Sequence, residues 1–406
     1  MLSRYIHHAF RNMLERDIII TGGGPSGLST ALHVARDFPH LTDRILILEK
    51  ARYPRQKLCA GGLVIDAEVI LQRLGLDVSE VPHVDAERIY FDFESHGLNL
   101  GVPKRHALRV IRRDEFDHWL AKQAESRGLE IREEITVREL LPDKDGVTVK
   151  TDHGDFRAQV VVGADGSNGV TRRSILPNAP VHTARVLEVL TPDYTSRGLK
   201  ETERSERAYF EFFPVPRNIA GYVWDFPTQI HGQARRCWGI YDTNLLAEET
   251  RPPLKEPLAE EMSRFGFHLR DYEIKGHPIR WFSPRTPTAV PRVLFVGDAA
   301  GADPFLGEGI SIALGYGALA AREIGEAFAK NDFSFNSYKR RVLKSALGQA
   351  LVTRWLLTHM IYPLKWKGFQ IVIWRLLKPI TVPFARKFVL NWGKRLQGHA
   401  NRVPTP

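Results

Sequence analysis

A chain of 406 residues, 43% of them hydrophobic and 26% charged, has room for two domains or one large interleaved one, and its composition is ordinary for a globular core rather than for a disordered chain. Two cysteines, Cys59 and Cys237, make no CxxC pair, zinc spacing or disulfide framework, so the expectation is free thiols, a reducing cytoplasmic setting and no metal site. The net charge of +10 is lodged at one end: the 74 residues from Phe333 onward hold 14 Lys/Arg and no acid, leaving −4 for everything before them.

The first 16 residues lack an apolar stretch and a small-residue cleavage site, which argues against a secretory signal. Next, RDIIITGGGPSGLSTALHVARDF reads as a short apolar strand, a glycine turn and a helix with Leu28, Ala31, Leu32 and Ala35 on one face. RILILEK supplies a second apolar strand ending at Glu49 and completes a βαβ unit. Gly22, Gly24 and Gly27 form GxGxxG, the spacing that permits a tight turn, close approach to a pyrophosphate and helix packing on the sheet. Glu49 lies 22 residues past Gly27, where an acid accepts ribose hydroxyls.

Further on, AQVVVGADGS (158–167) and VLFVGDAAG (293–301) are two more apolar strands ending in small residues and an Asp, the pattern of parallel strands covered on both faces. Between them, from about 180 to 287, RAYFEFFPV, GYVWDFP and RCWGIYD alternate and are rich in aromatics, as antiparallel strands with one covered face are. A nicotinamide dehydrogenase needs one dinucleotide fingerprint and leaves GADGSNGVTRR and the 293–317 stretch unexplained; a longer flavin dinucleotide accounts for both.

Over about residues 17 to 325 the sequence resembles the FAD-dependent oxidoreductases of the hydroxylase-like fold, through GGGPSG at 22–27, RRDEFDHWL at 112–120, GADGS at 163–167 and GDAAG…PFLGEG at 297–309. Within them it resembles the geranylgeranyl reductase family, through RQKLCAGGL at 55–63, GYVWDFP at 221–227 and GDAAGADPFLGEGI. Leu58 and Ala60 stand where that family usually has Pro and Gly, and Thr228 replaces a Lys. The resemblance implies an α/β (α+β) architecture: a Rossmann-like FAD-binding domain of the glutathione-reductase/hydroxylase type (17–80, 105–178 and 288–330). It is interleaved with an antiparallel β-sheet substrate domain (81–104 and 179–287) and followed by a basic amphipathic helical region (331–406).

The same resemblance implies FAD contacts from Gly22, Gly24, Pro25, Ser26 and Gly27, from Glu49 and Lys50, and from Cys59, Ala60 and Gly61 of the cysteine loop. It adds Arg113, Asp165, Gly166, Gly297, Asp298, Gly307, Gly309 and Ile310. Asp298 would accept bonds from the ribityl hydroxyls, and the 307–309 glycines would let N–H groups reach the pyrimidine edge, with a helix N-terminus where a reduced flavin carries negative charge. Cys59, whose thiol is protonated at neutral pH, is a candidate proton donor, with a small buried hydrophobe as the alternative. Tyr222, Trp224 and Phe226 would line an apolar substrate cavity.

The expected activity is reduction of C=C bonds in a polyprenyl, geranylgeranyl-type chain, with electrons from NAD(P)H (NADP included) or from reduced ferredoxin as a protein partner. The competing expectations are a flavin monooxygenase, hydroxylase or halogenase acting on an aromatic or quinone, and a non-catalytic flavin-bearing lipid carrier. The tail, with Trp355, Trp366, Trp374 and Trp392 among basic residues and no apolar run near the roughly 18 residues of a membrane span, suits peripheral binding to a membrane surface. The alternative is a helical subdomain packed on the core. Basic charge without a recognisable binding fold gives no reason to expect nucleic acid.

Overall fold

The structure, a computed structural model, describes residues 14–94, 96–102, 104–194, 206–246, 252–379, 383 and 391–396. Residues 1–13 and the last stretches of the tail lie outside them. The first strand, Leu14–Thr21, is flanked by Ile45–Leu48 on one side and Gly154–Gly163 on the other, both parallel to it. Val293–Phe295 adds a further parallel strand beyond Gly154–Gly163, and Glu130–Arg132 one beyond Ile45–Leu48. Ile18 to Ile20, Ile45 to Leu48, Val160 to Val162 and Val293 to Phe295 are all buried, which is why these strands read as unbroken apolar runs. A hairpin, Val137–Pro142 and Val147–Thr151, pairs antiparallel with the first half of Gly154–Gly163, and Ala289–Val290, antiparallel to Val293–Phe295, makes the eighth strand.

The helix Pro25–Asp37 follows the first strand and packs against Ile310–Lys330. Contact is close because glycine faces the neighbour: a Cβ on Gly317 would stand 2.4 Å from Ser29 Oγ, and one on Gly325 would stand 2.1 Å from the Phe38 ring.

A second, seven-stranded sheet runs in the order Lys275–Arg280, Thr183–Pro192, Gln233–Asp242, Gly221–Ile230, Arg207–Glu211, Arg88–Phe93, His96–Gly101. It is antiparallel, as expected, except that Arg207–Glu211 meets Arg88–Phe93 in parallel. The hairpin of 88–101 comes from a distant part of the chain and joins at the free edge of Arg207–Glu211. One face of this sheet buries Phe210, Tyr222, Trp224, Phe226 and Tyr241 in one cluster. The other buries Val189, Val223, Trp238 and Ile240 against the helix Lys255–Ser263. Asp225 lies on that second face, fully buried, with Arg236 Nε at 2.8 Å and the Tyr194 hydroxyl as donors.

His83–Ala86 pairs with Leu108–Ile111, which also pairs with Gly62–Leu63, in a small third sheet. All four residues of Leu108–Ile111 are buried, and the strand takes a partner on each edge.

The tail is helical where it is described: Tyr338–Lys344, Ala346–Ile361, Lys367–Ile371 and Trp392–Arg395. It packs on the core, with Leu347, Leu351 and Trp392 fully buried and the Trp392 ring over Gly315. The longest of these helices is not simply amphipathic. It buries Leu347, Ala350, Leu351 and Arg354 on one face and presents Leu356 and Met360 on the other.

Candidate active site

A cavity of about 640 Å³ opens at the carboxyl ends of Leu14–Thr21, Ile45–Leu48 and Gly154–Gly163 and continues beneath the aromatic face of the second sheet. Strand ends in an open parallel sheet converge on such a crevice because the helices leave it uncovered. Of the residues singled out in the sequence, all but Gly27 and Gly297 line it. Those two lie behind the wall. A Cβ on Gly27 would meet the Gly22 carbonyl oxygen at 2.1 Å, and Gly297, at φ +57°, would push one into Ser26 at 2.6 Å. They hold the wall's shape by lacking a side chain.

At one end, Gly22 turns at φ +108° and the helix Pro25–Asp37 begins at Gly24 with no side-chain cap, leaving its first-turn N–H groups to the cavity. Glu49 is buried beside it, accepting from Gly23 N–H at 2.9 Å and Ala51 N–H at 3.0 Å, with Arg55 at 3.4 Å. The carboxylate therefore also fastens the glycine turn. Arg113 places two of its donors on the fully buried Asp117, both at 2.8 Å. Burial opposes its charge, but Asp117 more than offsets this and raises its pKa. Asp165 accepts from Thr171 N–H at 2.8 Å with one oxygen, while its buried Oδ1 has no partner.

In the middle, Asp298 accepts from Ser167 Oγ at 3.1 Å. The loop 303–309 is fixed from behind by three tyrosines: Tyr241 donates to the Pro304 carbonyl at 3.0 Å, Tyr362 to that of Phe305 at 2.7 Å, and Tyr222 to that of Leu306. Asp303, fully buried, accepts from Phe305 N–H at 2.7 Å and Leu306 N–H at 3.2 Å. Gly307 turns at φ +67°, and a Cβ there would lie 2.8 Å from the Tyr241 ring. The helix Ile310–Lys330 then starts at Gly309, again without a side-chain cap. Two uncapped helix ends thus face one cavity, an arrangement that attracts phosphate at one and developing negative charge at the other.

The far end divides into an apolar and a polar half. Ile89, Phe91, Phe210, Trp224 and Phe226 line the apolar half. Cys59, Lys57, His277 and Glu188 line the polar one. Burial pushes the Cys59 thiol up, and its sulfur takes the Gly61 N–H at 3.4 Å. Burial lowers Lys57, and lowers His277 to about 3, so that imidazole is neutral.

Sequence reasoning missed Lys57, Glu188, His277, Glu308 and Arg354. Fully buried Arg354, from the helix Ala346–Ile361, sets Nη1 3.0 Å from Asp303 and 2.6 Å from Glu308, anchoring the 303–309 loop to the tail. Asp303 carried no assignment in the sequence, and the unbroken GEG run around Glu308 was the one signal available.

Two uncapped helix ends and three strand ends around an elongated crevice make a site suited to a dinucleotide. The chain belongs to the family of the FAD binding domain, whose model matches residues 15–314. It is a FAD-dependent oxidoreductase, and the residues present fit the cofactor: the crevice reaches from the glycine turn to the 303–309 loop, and Asp165, which lines it, keeps one buried carboxylate oxygen unpartnered.

Among its relatives, digeranylgeranylglycerophospholipid reductase 3 of Methanosphaera stadtmanae is 25% identical over 337 residues, 80% of each chain. An uncharacterized protein of Methanosarcina barkeri is 26% identical over 81% of this chain and 80% of its own. A geranylgeranyl bacteriochlorophyll reductase-like protein from Thermoplasma acidophilum has the same fold, with a TM-score of 0.72 at 21% identity over 95% of this chain and all of that one. A point mutant of the halogenase PltM, in complex with FAD, shares the fold at a TM-score of 0.66 and 18% identity, over 88% of this chain and 78% of its own.

Proposed function

We propose that this chain is a FAD-dependent reductase that saturates C=C bonds of a polyprenyl, geranylgeranyl-type chain at a membrane surface. The observation that carries the reading is the aromatic wall of Phe91, Phe210, Trp224 and Phe226 continuing directly from the 303–309 loop, an apolar trough with one polar end. The likeness to reductases named for geranylgeranyl lipids supports it. Reduced FAD supplies hydride when bound. The protein's own residues do the rest. Glu49, Asp165 and Asp298 accept from ribose and ribityl hydroxyls, and the N–H groups at Ser26 and at 307–310 receive phosphate and the pyrimidine edge. Lys50, Ala60, Gly61, Arg113 and Gly166 close the walls around them. Tyr222, Trp224 and Phe226 hold the hydrocarbon against the reacting face, where positioning matters because an isolated alkene is poorly polarised.

A single GxGxxG leaves the electron donor as NAD(P)H docking transiently or reduced ferredoxin. Peripheral membrane attachment is supported by Trp366, 75% exposed, and Met360, 64% exposed, beside Lys365 and Lys367. No helix among the described residues is long and apolar enough to cross a membrane.

The test is incubation of the yellow, FAD-loaded protein with geranylgeranyl compounds under reducing conditions, followed by mass spectrometry. Mass gains in steps of two hydrogens are expected. Unchanged substrate with every donor, or oxygen uptake matched to donor and a hydroxylated or halogenated aromatic product, overturns the reading in favour of a monooxygenase or halogenase.

A further inference from the structure

Saturating an alkene takes a proton as well as a hydride, and Cys59 is a poor source, since burial strengthens its hold on the proton. A carboxyl meets the same cavity. Glu188 stands in the strand Thr183–Pro192, 5% exposed, and its Oε2 has no hydrogen-bond partner. Burying such an oxygen unpaired is costly unless the group is neutral or meets a ligand.

Cross-strand register aims it at the substrate wall. Glu188 is opposite Gly239, Gly239 opposite Trp224, and Trp224 opposite Phe210. The indole lies across Gly239, where a Cβ would stand 2.0 Å from its Cζ2, so the carboxyl and the aromatic wall share one row of the sheet. Every surrounding element contributes a polar group. Lys57 and the Cys59 N–H come from the loop after the second strand, Arg112 from the start of the helix Arg113–Glu125, and Lys275 and His277 from the neighbouring strand. Cys237 comes from the strand on the other side. Burial outweighs Arg112, Lys275, the Cys59 N–H and Lys57, and pushes the carboxyl up to about 7.

We propose that Glu188 is the proton donor to the double bond reduced in this cavity. The inference rests on the prenyl-reductase reading. Glu188 gives the proton of its O–H to one alkene carbon as the hydride, which brings both electrons from reduced FAD, reaches the other. The π bond is replaced by two C–H bonds, Glu188 is left as a carboxylate, and water at the cavity mouth restores its proton. His277, neutral and unpartnered at Nδ1, lies on the adjacent strand and adds no competing acid.

The experiment compares wild type, Glu188→Gln and Glu188→Asp. Glu188→Gln is expected to bind FAD and to bleach with dithionite like wild type, yet to saturate substrate about 10²-fold or more slowly. Glu188→Asp recovers part of the rate. Wild-type turnover falls as pH rises through about 7, and the Gln variant lacks that limb. Infrared titration without substrate should show a protonated-carboxyl band that fades over the same range and is missing in Glu188→Gln. Equal rates and pH limbs in wild type and Glu188→Gln, or identical infrared spectra, overturn the assignment while leaving the reductase reading intact. A wild-type protein inert on every polyprenyl compound overturns both.

Discussion

His33 carries the clearest cost of burial at a single residue. It lies on the helix that follows the glycine turn, 2% exposed, with Nδ1–H donating to the Ser29 carbonyl at 2.8 Å. Burial, aided by Arg36, lowers its pKa to about 4. A base held neutral in the fold but charged in the unfolded chain favours unfolding once the unfolded form takes up its proton. Stability from this residue is therefore complete above about 6.5 and is lost as pH falls from there to about 4, a total of about 3 kcal/mol. Urea titrations at pH 7, 5.5 and 4 should show the loss in wild type and a smaller one in His33→Gln; parallel curves for the two would remove His33 from the account. Single residues were also where the sequence was least legible. Glu188 and His277 sit in segments with no motif, and only strand register, which joins residues about 50 apart such as Glu188 and Gly239, brings them to the cavity. Glycine turns were legible because their spacing is local.

At the scale of elements, the site depends on how closely two helices approach. Pro25–Asp37 and Ile310–Lys330 both aim an uncapped N-terminus at the cavity, and their crossing is set by Gly317 against Ser29. Ser29 Oγ adds a bond to the Leu314 carbonyl at 2.8 Å. Gly317→Ala would place a methyl 2.7 Å from the Ser29 backbone carbon, which cannot swing away as a side chain does. The expected cost is about 1–3 kcal/mol of stability, accompanied by weaker FAD retention because both helix ends shift. Calorimetry and flavin release on dilution measure the two together; a stable variant with normal retention would show that the crossing yields without disturbing the cavity. These elements were readable in sequence, since a 3.6-residue apolar period follows each glycine run. The parallel pairing of Arg207–Glu211 with Arg88–Phe93 was not, because alternation fixes which face is buried but not which edge is joined.

Across the whole molecule, charge and apolar surface combine at the tail. Exposed Leu356, Met360, Leu364, Trp366 and Leu376 stand among Lys365, Lys367 and Arg375. Sedimentation with anionic vesicles should recover the wild-type protein, less so as salt screens the lysines. Replacing Met360 and Trp366 together by Ser should leave most of it in solution. Equal recovery of the two proteins would mean that this surface does not seat the lipid. Tail basicity was legible as charge alone, and that hid Arg354, which is fully buried against two acids.

That pairing has a consequence for anyone grafting or trimming such proteins. The family match ends at residue 314, yet the counter-ion for Asp303 and Glu308 arrives forty residues later. Chimaeras between relatives should exchange the three residues as a set, since a fragment cut at the homology boundary would strand two carboxylates next to its own cofactor.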